Sequence, residues 1–431
     1  MKTRNFFRTT LAVVALALAP HLPIQAQPFQ ELYAFVGIST NGSNPEGALV
    51  QGRDGNFYGT TSNGGQPTTN DPAGGYGTVF QITPDGVLTT LAWFNGTNNG
   101  ANPFGSMIQA TDGNFYGTSE YGIFRVTPSG VLTGRGGGIV GDPIQGSDGY
   151  LYYADGDTVY RSPLNGGAGM QWSAPGAPSG GLIQASDGNY YGLTSNGGSN
   201  DLGTAYRLTP QGVLTTVVSF GQDSTSPRFP YGRLLQASDG NLYGVSEGGG
   251  NGMIFRLTLD GVLTTMALCG SENDTPNGGL VEGNDGNLYG TSYQGDGYGS
   301  VFRMTKKGNL TALLYFGGYD TNFPNPGAYP SVGLAQGSDG NLYGTCPYGG
   351  SRGAGNVFRI IMPGPLLSPS QAAGQLTLSW RTNYVGYTLQ SSPSLASGNW
   401  SDCTNPPAIV GGQFIVTNPV SGGAGYFRLK K

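Results

Sequence analysis

The chain has 431 residues, of which 78 are glycine and 28 are proline, while only 10 % are charged. Glycine at this frequency excludes a helical bundle, because each glycine costs a helix interior about 1 kcal/mol. Low charge together with 11 % aromatic residues excludes a solvated, disordered polymer. The single histidine, His21, lies in a segment that we expect to be removed, which excludes a histidine base or a histidine-bound metal in the mature chain.

The first predicted element is a signal peptide over residues 1–26. Three basic residues precede the apolar run 11–19 (LAVVALALA), and residues 24–26 offer a cleavage site. We therefore expect a protein that is secreted or displayed at the cell surface. Neither this run nor any later one reaches the roughly 20 apolar residues of a membrane span. Cleavage would leave 17 basic against 25 acidic residues, a net charge of −8, which argues against a nucleic-acid partner.

The next feature is a motif, D-G-N-(F/L/Y)-Y-G, that recurs seven times. Its aspartates are Asp54, Asp112, Asp148, Asp187, Asp239, Asp285 and Asp339. The first and last copies are 285 residues apart over six steps, a mean repeat of 47.5 residues. That length is typical of the four-stranded blades of a β-propeller.

Each repeat predicts four antiparallel strands, named a to d. Strand a is the apolar stretch before Asp-Gly, and Asp-Gly itself favours a tight hairpin turn. Strand b follows as N-L-Y-G-T-T, and strand c is the alternating run V-F-R-I-T of a second motif. After a short turn, V-L-T-T-L forms strand d. Four strands joined by short turns make a meander, which is the form of a propeller blade.

The two ends of the repeat region predict how the ring closes. The seventh repeat has no strand d, while residues 31–35 (ELYAF) match the end of one. We therefore predict an all-β protein with a closed seven-bladed propeller of four-stranded antiparallel blades over residues 27–362, in which the N-terminal strand completes the last blade. A small β-sandwich-like module follows over residues 363–431. Its strand-like runs are 375–380, 386–391, 413–417 and 426–429.

The paired motifs resemble the GloVer tandem repeat of exported bacterial proteins over about residues 31–361. The tail, with L-T-L-S-W, G-Y-T-L-Q-S-S and a final Y-F-R-L, is similar to C-terminal modules on exported proteins of the same bacteria. The resemblance implies an extracellular location. It offers no established catalytic residue that could be transferred to this chain.

Most repeated residues are expected to be structural. Each repeat aspartate should bond backbone amides in its own turn, and one carboxylate per turn is far short of the six oxygens that calcium needs. The repeat tyrosines should pack between blades, and the strand-c arginines should pair with acids or carbonyls inside each blade. We expect Cys269, Cys346 and Cys403 to be buried thiols with at most one disulfide. The strand-c arginines are Arg125, Arg161, Arg207, Arg256, Arg303 and Arg359, with Gln81 in the first repeat.

The connections between strands predict one functional face. The a–b and c–d turns are short and uniform, whereas the b–c and d–a loops are long, variable and together on the other side of the ring. Their aromatic, amide and carboxylate groups suit sugars or exposed peptide. The alternative is that the aromatic side chains only pack their own loops. The candidate ligand-binding residues are Phe104, Asp223, Arg228, Phe229, Tyr231, Tyr319, Asp320, Phe323 and Tyr329.

These observations predict an exported, non-catalytic binding or surface-structural protein. Its partner would be an extracellular polysaccharide or a surface protein, and we expect a monomer without catalytic residues, cofactor or metal. The alternative is an extracellular enzyme, a lyase or glycoside hydrolase, that uses two carboxylates. Its candidates on the loops are Asp71, Asp223 and Asp320, but no spacing singles out a pair.

Overall fold

The computed structural model describes most of the chain after the predicted signal peptide, which lies outside the described residues. The described ranges are 29–37, 41–66, 74–136, 141–223, 225–248, 252–269, 275–293, 297–317, 327–330, 333–365, 367–372, 375–382, 384, 386–393, 399–419 and 426–430. Within these ranges the secondary structure is β throughout, and no helix is long and apolar enough to cross a membrane. The chain divides into two compact units, the first ending at Met362 and the second beginning at Pro363.

The strands of the first unit assemble into four-stranded antiparallel sheets, seven within the described part of residues 29–360. Sheet 1 contains β2 (Val50–Gln51), β3 (Phe57–Thr61), β4 (Thr78–Ile82) and β5 (Leu88–Trp93). Sheet 2 contains β6 (Ile108–Gln109), β7 (Phe115–Ser119), β8 (Gly122–Val126) and β9 (Leu132–Gly134). Sheet 3 contains β10 (Ile144–Gln145), β11 (Leu151–Asp155), β12 (Thr158–Ser162) and β13 (Met170–Ser173).

The remaining sheets repeat this order. Sheet 4 contains β14 (Ile183–Gln184), β15 (Tyr190–Thr194), β16 (Thr204–Leu208) and β17 (Leu214–Ser219). Sheet 5 contains β18 (Pro230–Gln236), β19 (Leu242–Ser246), β20 (Met253–Leu257) and β21 (Leu263–Leu268). Sheet 6 contains β22 (Pro276–Glu282), β23 (Leu288–Ser292), β24 (Ser300–Met304) and β25 (Leu310–Tyr315). Sheet 7 contains β26 (Ala335–Gln336), β27 (Leu342–Cys346), β28 (Asn356–Ile360) and β1 (Phe29–Ala34).

The Asp-Gly motif forms the a–b turn in each sheet. In sheet 1, the Gly52 N–H donates to the Asn56 carbonyl (2.8 Å) and the Gly55 N–H donates to the Gly52 carbonyl (2.9 Å). Gly55 has a φ of +84°, which a glycine adopts without steric cost. The glycine supplies the positive φ that this hairpin requires, while the aspartate supplies hydrogen bonds.

The apolar core lies between consecutive sheets, because strands b and c bury side chains on both of their faces. A tyrosine of one sheet stacks on an aromatic ring of the next, as Tyr58 does on Phe115 with centroids 4.0 Å apart. This is the inter-sheet packing predicted for the repeat tyrosines. Each pair of consecutive sheets shares such a cluster. The smallest, between sheets 2 and 3, has four fully buried members, Ala110, Tyr116, Ile123 and Leu151.

The N-terminal strand completes sheet 7, as predicted. β1 pairs antiparallel with β28, from Phe29 opposite Ile360 to Ala34 opposite Asn356. The Glu31 carboxylate accepts hydrogen bonds from the Ser351 backbone N–H (2.9 Å) and from Asn356 Nδ2 (3.0 Å). The first and the last described strands of the repeat region therefore lie in the same sheet, and β1 covers the free edge of β28.

Sheet 7 also packs against sheet 1. The Phe57 ring stacks on the Tyr343 ring with centroids 3.9 Å apart, and Leu49 and Val357 are buried in the same cluster. On the side of the a–b turns, the Ser338 N–H donates to Gln51 Oε1 at 2.8 Å. Every sheet of this unit thus contacts two others.

The bond from Ser338 to Gln51 belongs to a repeated set of glutamine bridges between neighbouring sheets. In five other junctions a backbone N–H of one a–b turn donates to a side chain of the next strand a, at 2.6–2.9 Å. The acceptors are Gln109, Gln145, Gln184, Gln236 and Glu282. In sheet 6, where glutamate replaces glutamine, Lys306 Nζ lies 2.6 Å from the Glu282 carboxylate and neutralises the charge.

In the described residues of the second unit, seven short strands form two sheets. One sheet has the order β29 (Ser368–Ala372), β30 (Gln375–Arg381), β34 (Gln413–Pro419) and β33 (Ala408–Val410). The other has the order β32 (Ser401–Asp402), β31 (Thr388–Ser392) and β35 (Tyr426–Lys430). Leu378 and Trp380 of the first sheet and Leu389 of the second are buried in one cluster. The four predicted runs are strands, and β29, β32 and β33 were missed because they are short and lack alternation.

The cysteines follow the prediction in part. All three are free thiols. Cys269 and Cys346 are fully buried, and the Cys269 N–H donates to the Gly252 carbonyl as the Phe94 N–H does to Gly77, which confirms the equivalence of Cys269 with the repeat phenylalanines. Cys403 is only half-buried, so the expectation of three buried thiols was wrong at this position.

Candidate ligand-binding face

The b–c and d–a loops of neighbouring sheets are joined into one surface, here called the loop face. The Phe229 N–H donates to the Leu202 carbonyl (2.8 Å) and the Tyr329 N–H to the Tyr298 carbonyl (2.7 Å), so each d–a loop holds the b–c loop of the preceding sheet. Phe229 and Tyr329 have φ values of +51° and +54°. Non-glycine residues rarely adopt this conformation, and they persist in it where surrounding contacts enforce it. Asn44 and Asn102 occupy the equivalent place with φ values of +58° and +46°.

Four tyrosines of the loop face form a cluster at sheets 6 and 7, here called the tyrosine cluster. The Tyr329 ring lies in the centre, with centroid distances of 5.0 Å to Tyr293, 5.6 Å to Tyr298 and 6.1 Å to Tyr348. The planes meet at 37°, 59° and 86°, so the cluster presents both ring faces and ring edges. Tyr293, Tyr298 and Tyr348 all count among the exposed large side chains. An exposed group of aromatic rings on a soluble protein is a common mark of a binding site.

The backbone beneath the cluster leaves room for its rings. A Cβ placed on Gly317 would lie 2.3 Å from Tyr298 Cγ, so the Tyr298 ring packs directly on this glycine. Gly317 is the last described residue before the segment that carries Tyr319, Asp320 and Phe323. Those three predicted residues lie outside the described part of the chain.

The other aromatic candidates differ in their exposure. Phe229 is exposed at its positive-φ position, whereas Phe104 is half-buried. Tyr231 packs against the cluster between sheets 5 and 6. Burial, with smaller contributions from Cys269 and Glu247, raises the pKa of the Tyr231 hydroxyl well above its usual range. Tyr231 therefore fits the alternative interpretation, in which an aromatic side chain packs its own surroundings.

The charged candidates are engaged within their own loop or lie outside the described residues. Asp223 Oδ1 accepts hydrogen bonds from the Thr225 N–H (2.8 Å) and from Thr225 Oγ1 (2.7 Å), and these bonds lower the pKa of the carboxyl. Arg228, in the same loop, is half-buried. Asp71 and Asp320, the other carboxylates of the enzyme alternative, are not among the described residues. Only Asp223 of these three lies within the described loops, so the carboxylate pair of the enzyme alternative falls outside the described residues.

The repeat aspartates lie on the opposite side, here called the turn face. Asp54 Oδ2 accepts hydrogen bonds from Asn56 Nδ2 (2.8 Å), the Tyr58 hydroxyl (2.8 Å) and Gln81 Nε2 (3.0 Å). Burial alone would raise the pKa of Asp54, but the bonds from Asn56 and Tyr58 outweigh it and lower the pKa. Burial and the Asp54 carboxylate raise the pKa of Tyr58 to about 12. The carboxylate is occupied by its own turn, which supports the structural interpretation.

The strand-c arginines pair in two ways. Arg161 Nη2 lies 3.0 Å from the Asp148 carboxylate of its own sheet, the kind of partner that was predicted. Arg359 Nη2 donates to the side-chain carbonyl of Gln30 in its own sheet, as predicted, and Arg359 Nη1 donates to the Pro84 carbonyl at 3.2 Å. Pro84 belongs to the c–d turn of sheet 1, so the Arg359 side chain braces its own sheet and also joins it to the next one.

The turn face offers one shallow hollow of about 210 Å³ beside Asp148, Tyr150 and Leu164. The Arg161 guanidinium covers the Tyr150 ring at 3.9 Å from its centroid and is already paired with Asp148. The Asp148 carboxylate of this hollow is therefore already engaged by a neighbouring side chain. The tyrosine cluster, whose rings are open to solvent, is the better candidate site.

The sequence was compared with families of known proteins. Residues 21–133 and 145–358, more than half of the chain, match the Gloeobacter/Verrucomicrobia repeat. The chain belongs to this family. The two matched ranges together contain all seven Asp-Gly motifs of the predicted GloVer repeats, from Asp54 to Asp339. Comparison with curated proteins found no match.

Solved structures similar to this Gloeobacter/Verrucomicrobia repeat protein are far removed in sequence. Virginiamycin B lyase from Staphylococcus aureus is 17 % identical with a TM-score of 0.56, over 78 % of this chain and 99 % of the lyase. Two extracellular domains from B. thetaiotaomicron, of a hybrid two-component system and a one-component system, are 11 % and 12 % identical with TM-scores of 0.52 and 0.56. These matches cover 90 % and 88 % of this chain and 53 % and 48 % of those domains, so the chain spans about half of their length. At such identities the likeness shows a propeller-like fold and not an activity.

Sequence reasoning identified Tyr329 but missed its three partners. Tyr293 and Tyr348 follow strand b of successive repeats, and Tyr298 precedes strand c. All three lie in b–c loops, whereas Tyr329 lies in a d–a loop. The available signal was the recurrence of tyrosine in two consecutive b–c loops (TSYQGDGY and TCPYGG).

Proposed function

We propose that this protein is an exported, non-catalytic binding propeller whose loop face holds a glycan. In this proposal the seven sheets are the blades of a closed seven-bladed propeller over residues 27–362. The contacts of sheet 7 with both sheet 6 and sheet 1 support closure. Residues 363–431 form a sandwich-like module, supported by the cluster shared by its two sheets.

The observation that carries the proposal is the tyrosine cluster. Tyrosine combines a large apolar ring with a hydroxyl, so one cluster offers stacking surfaces for the C–H faces of sugar rings and hydrogen bonds for their hydroxyl groups. The loops that present it belong to different sheets, and the sheets fix their spacing. When a ligand binds exposed aromatic groups on a rigid scaffold, few side chains lose conformational freedom. The entropic cost of association is therefore low.

An extracellular location is part of the proposal. It is supported by the charged start and apolar run of residues 1–26, which have the form of a signal peptide. Two of the similar solved structures are themselves extracellular domains. Glycans are abundant outside bacterial cells, so an exported binding protein would meet its ligand there.

The test compares two tyrosines of equal exposure on the same face. Tyr348 belongs to the cluster and is 49 % exposed, while Tyr121, in the b–c turn of sheet 2, is 50 % exposed. The full chain is first screened on an array of bacterial and plant polysaccharides, and the best ligand is titrated by calorimetry. We expect Tyr348→Ala to weaken binding about tenfold, equivalent to about 1.4 kcal/mol, and Tyr121→Ala to leave it within twofold.

Two results would contradict the proposed function. One is an array without any bound glycan, together with capture of a purified surface protein whose binding depends on Tyr348, because that would make the face a protein interface. The other is an equal loss of glycan affinity for Tyr348→Ala and Tyr121→Ala, because binding would then not depend on the cluster.

A further inference from the structure

The first strands of the sheets approach each other closely, through glycines that lie just before strand a or in its first half. A Cβ on Gly180 would lie 2.2 Å from the Gly232 carbonyl oxygen, and a Cβ on Gly232 would lie 2.6 Å from the Gly278 oxygen. Equivalent contacts join Gly47 to Gly105 at 2.5 Å and Gly333 to Gly279 at 2.6 Å. These glycines let the backbones of neighbouring sheets meet around one axis, and larger side chains there would force them apart.

One position in this glycine-rich segment carries two charges. The residues that stand there in the seven sheets are Ala48, Ser106, Asp142, Gly181, Arg233, Gly279 and Gly333. Five are small, as the crowding requires. The two exceptions are opposite in charge and stand two sheets apart, with Gly181 between them.

The fold brings these two charges towards each other. Asp142 Oδ1 accepts a hydrogen bond from the Ser106 backbone N–H at 2.8 Å, which fixes the carboxylate beside sheet 2. A Cβ on Gly181 would lie 3.0 Å from the Asp142 Cβ, so glycine in sheet 4 leaves the space between Asp142 and Arg233 open. Burial raises the pKa of Asp142, although the Arg233 charge acts in the opposite direction.

Arg233 makes no hydrogen bond and no ion pair among the residues that the structure describes. The Asp142 charge acts on it at longer range. Burial lowers the pKa of the guanidinium, yet the residue keeps part of its solvent-accessible surface. An enclosed group with remaining accessible surface can be reached by a small molecule. Unused donors of a guanidinium in such a place are available to a ligand.

We propose that Arg233 binds the carboxylate of a small acidic ligand, a uronate or another hydroxy acid, on the axis of the ring. A guanidinium offers parallel N–H donors that match the two oxygens of a carboxylate. Asp142, on the far side of Gly181, accepts a hydrogen bond from a hydroxyl of the same ligand. The inference rests on the ring of sheets and is independent of the glycan proposed for the tyrosine cluster.

The experiment measures binding of acidic and neutral probes to the full chain. Sodium glucuronate, sodium galacturonate and sodium lactate are titrated by calorimetry, with methyl glucoside as the uncharged probe. We expect at least one acid to bind at least tenfold more tightly than methyl glucoside, and Arg233→Gln to abolish that preference. The matched control is Arg352→Gln, which removes one positive charge from an exposed position in the b–c loop of sheet 7. It should retain the preference.

Thermal unfolding separates a binding role from a structural one. Because Arg233 makes no described hydrogen bond or ion pair, the unfolding temperature of Arg233→Gln should lie within a few degrees of that of the wild type. The proposal is overturned if no acid is preferred by the wild type, if Arg233→Gln keeps the preference, or if Arg233→Gln unfolds far below the wild type. Tyr348→Ala should leave the acid preference unchanged, so failure of this proposal and failure of the glycan proposal give different results.

Discussion

On the turn face, one aspartate and one tyrosine stabilise each sheet through a hydrogen bond between their side chains. The Asp112 carboxylate accepts hydrogen bonds from the Asn114 backbone N–H (3.0 Å), from Asn114 Nδ2 (2.8 Å) and from the Tyr116 hydroxyl (2.8 Å), in the same way as Asp54. Charged acceptors make stronger hydrogen bonds than neutral ones. Repetition in every sheet makes this network a property of the whole repeat unit and not a mark of one site.

This network predicts how stability depends on pH. Hydrogen bonds lower the pKa of Asp54, Asp112, Asp187 and Asp239 against the effect of burial. The folded state therefore binds fewer protons than the unfolded state near the ordinary aspartate pKa. The resulting stabilisation is complete above that value and is lost as pH falls through the folded pKa. Urea unfolding should show lower stability at pH 3 than at pH 7.

A single substitution tests how much of this pH dependence comes from Asp54. Asp54→Asn should lower the free energy of unfolding at pH 7 by about 1 kcal/mol, because the amide cannot accept all three bonds, and the difference from the wild type should shrink at pH 3. The control is Asp85→Asn in the exposed c–d turn of the same sheet. If the difference in free energy of unfolding between Asp54→Asn and the wild type stays constant with pH, the charge of Asp54 is not its cause.

Among the elements, β1 has the greatest consequence for the fold, because it joins the two ends of the repeat region in one sheet. The Phe29 ring stacks on the Phe358 ring at 5.7 Å, and the Phe35 N–H donates to the Gly355 carbonyl at 2.9 Å. Glu31 adds bonds to Ser351 and Asn356 of sheet 7. These contacts have high sequence separation, so we expect β1 to pair with β28 late in folding.

A point substitution and a shortened chain test this role of β1. Glu31→Ala should lower the free energy of unfolding by about 2 kcal/mol, since it removes hydrogen bonds to a charged acceptor. A mature chain that lacks residues 27–35 should aggregate or unfold at much lower temperature, because the edge of β28 is left unpaired. The control is Glu247→Ala, at an exposed position. Calorimetry of the three variants measures both effects, and an unchanged transition in the shortened chain would show that β1 is dispensable.

Elements were predictable where the repeat constrains them. Alternation placed strands b, c and d, and the match of residues 31–35 to strand d placed β1. Strand a of sheets 5 and 6 begins earlier than its apolar run, at Pro230 and Pro276, because the chain pairs around an irregularity that the pattern does not show.

The candidate site was predictable only in part. The loop face follows from loop length and variability, and Tyr329 from its place in a long loop. Contacts among rings of different loops leave no periodic signal, so Tyr293, Tyr298 and Tyr348 were not recognised. Asp142 and Arg233 are departures from a small-residue position, which becomes visible only when the seven strand starts are placed around one axis.

At the scale of the whole repeat unit, the two faces differ in what their polar groups do. On the turn face, the repeat aspartates and the glutamine bridges satisfy one another within and between sheets. On the loop face, backbone bonds such as that from Tyr329 to Tyr298 hold the loops together while aromatic side chains remain open to solvent. A uniform supporting side and a variable exposed side are the arrangement expected of a binding scaffold.

The most direct test of the account is a crystal structure of the mature chain soaked with the oligosaccharide that the array selects. The account predicts sugar rings packed on Tyr298, Tyr329 and Tyr348 at the loop face of a closed seven-sheet ring. Sugar bound only at the turn face, or a ring with another number of sheets, would contradict it.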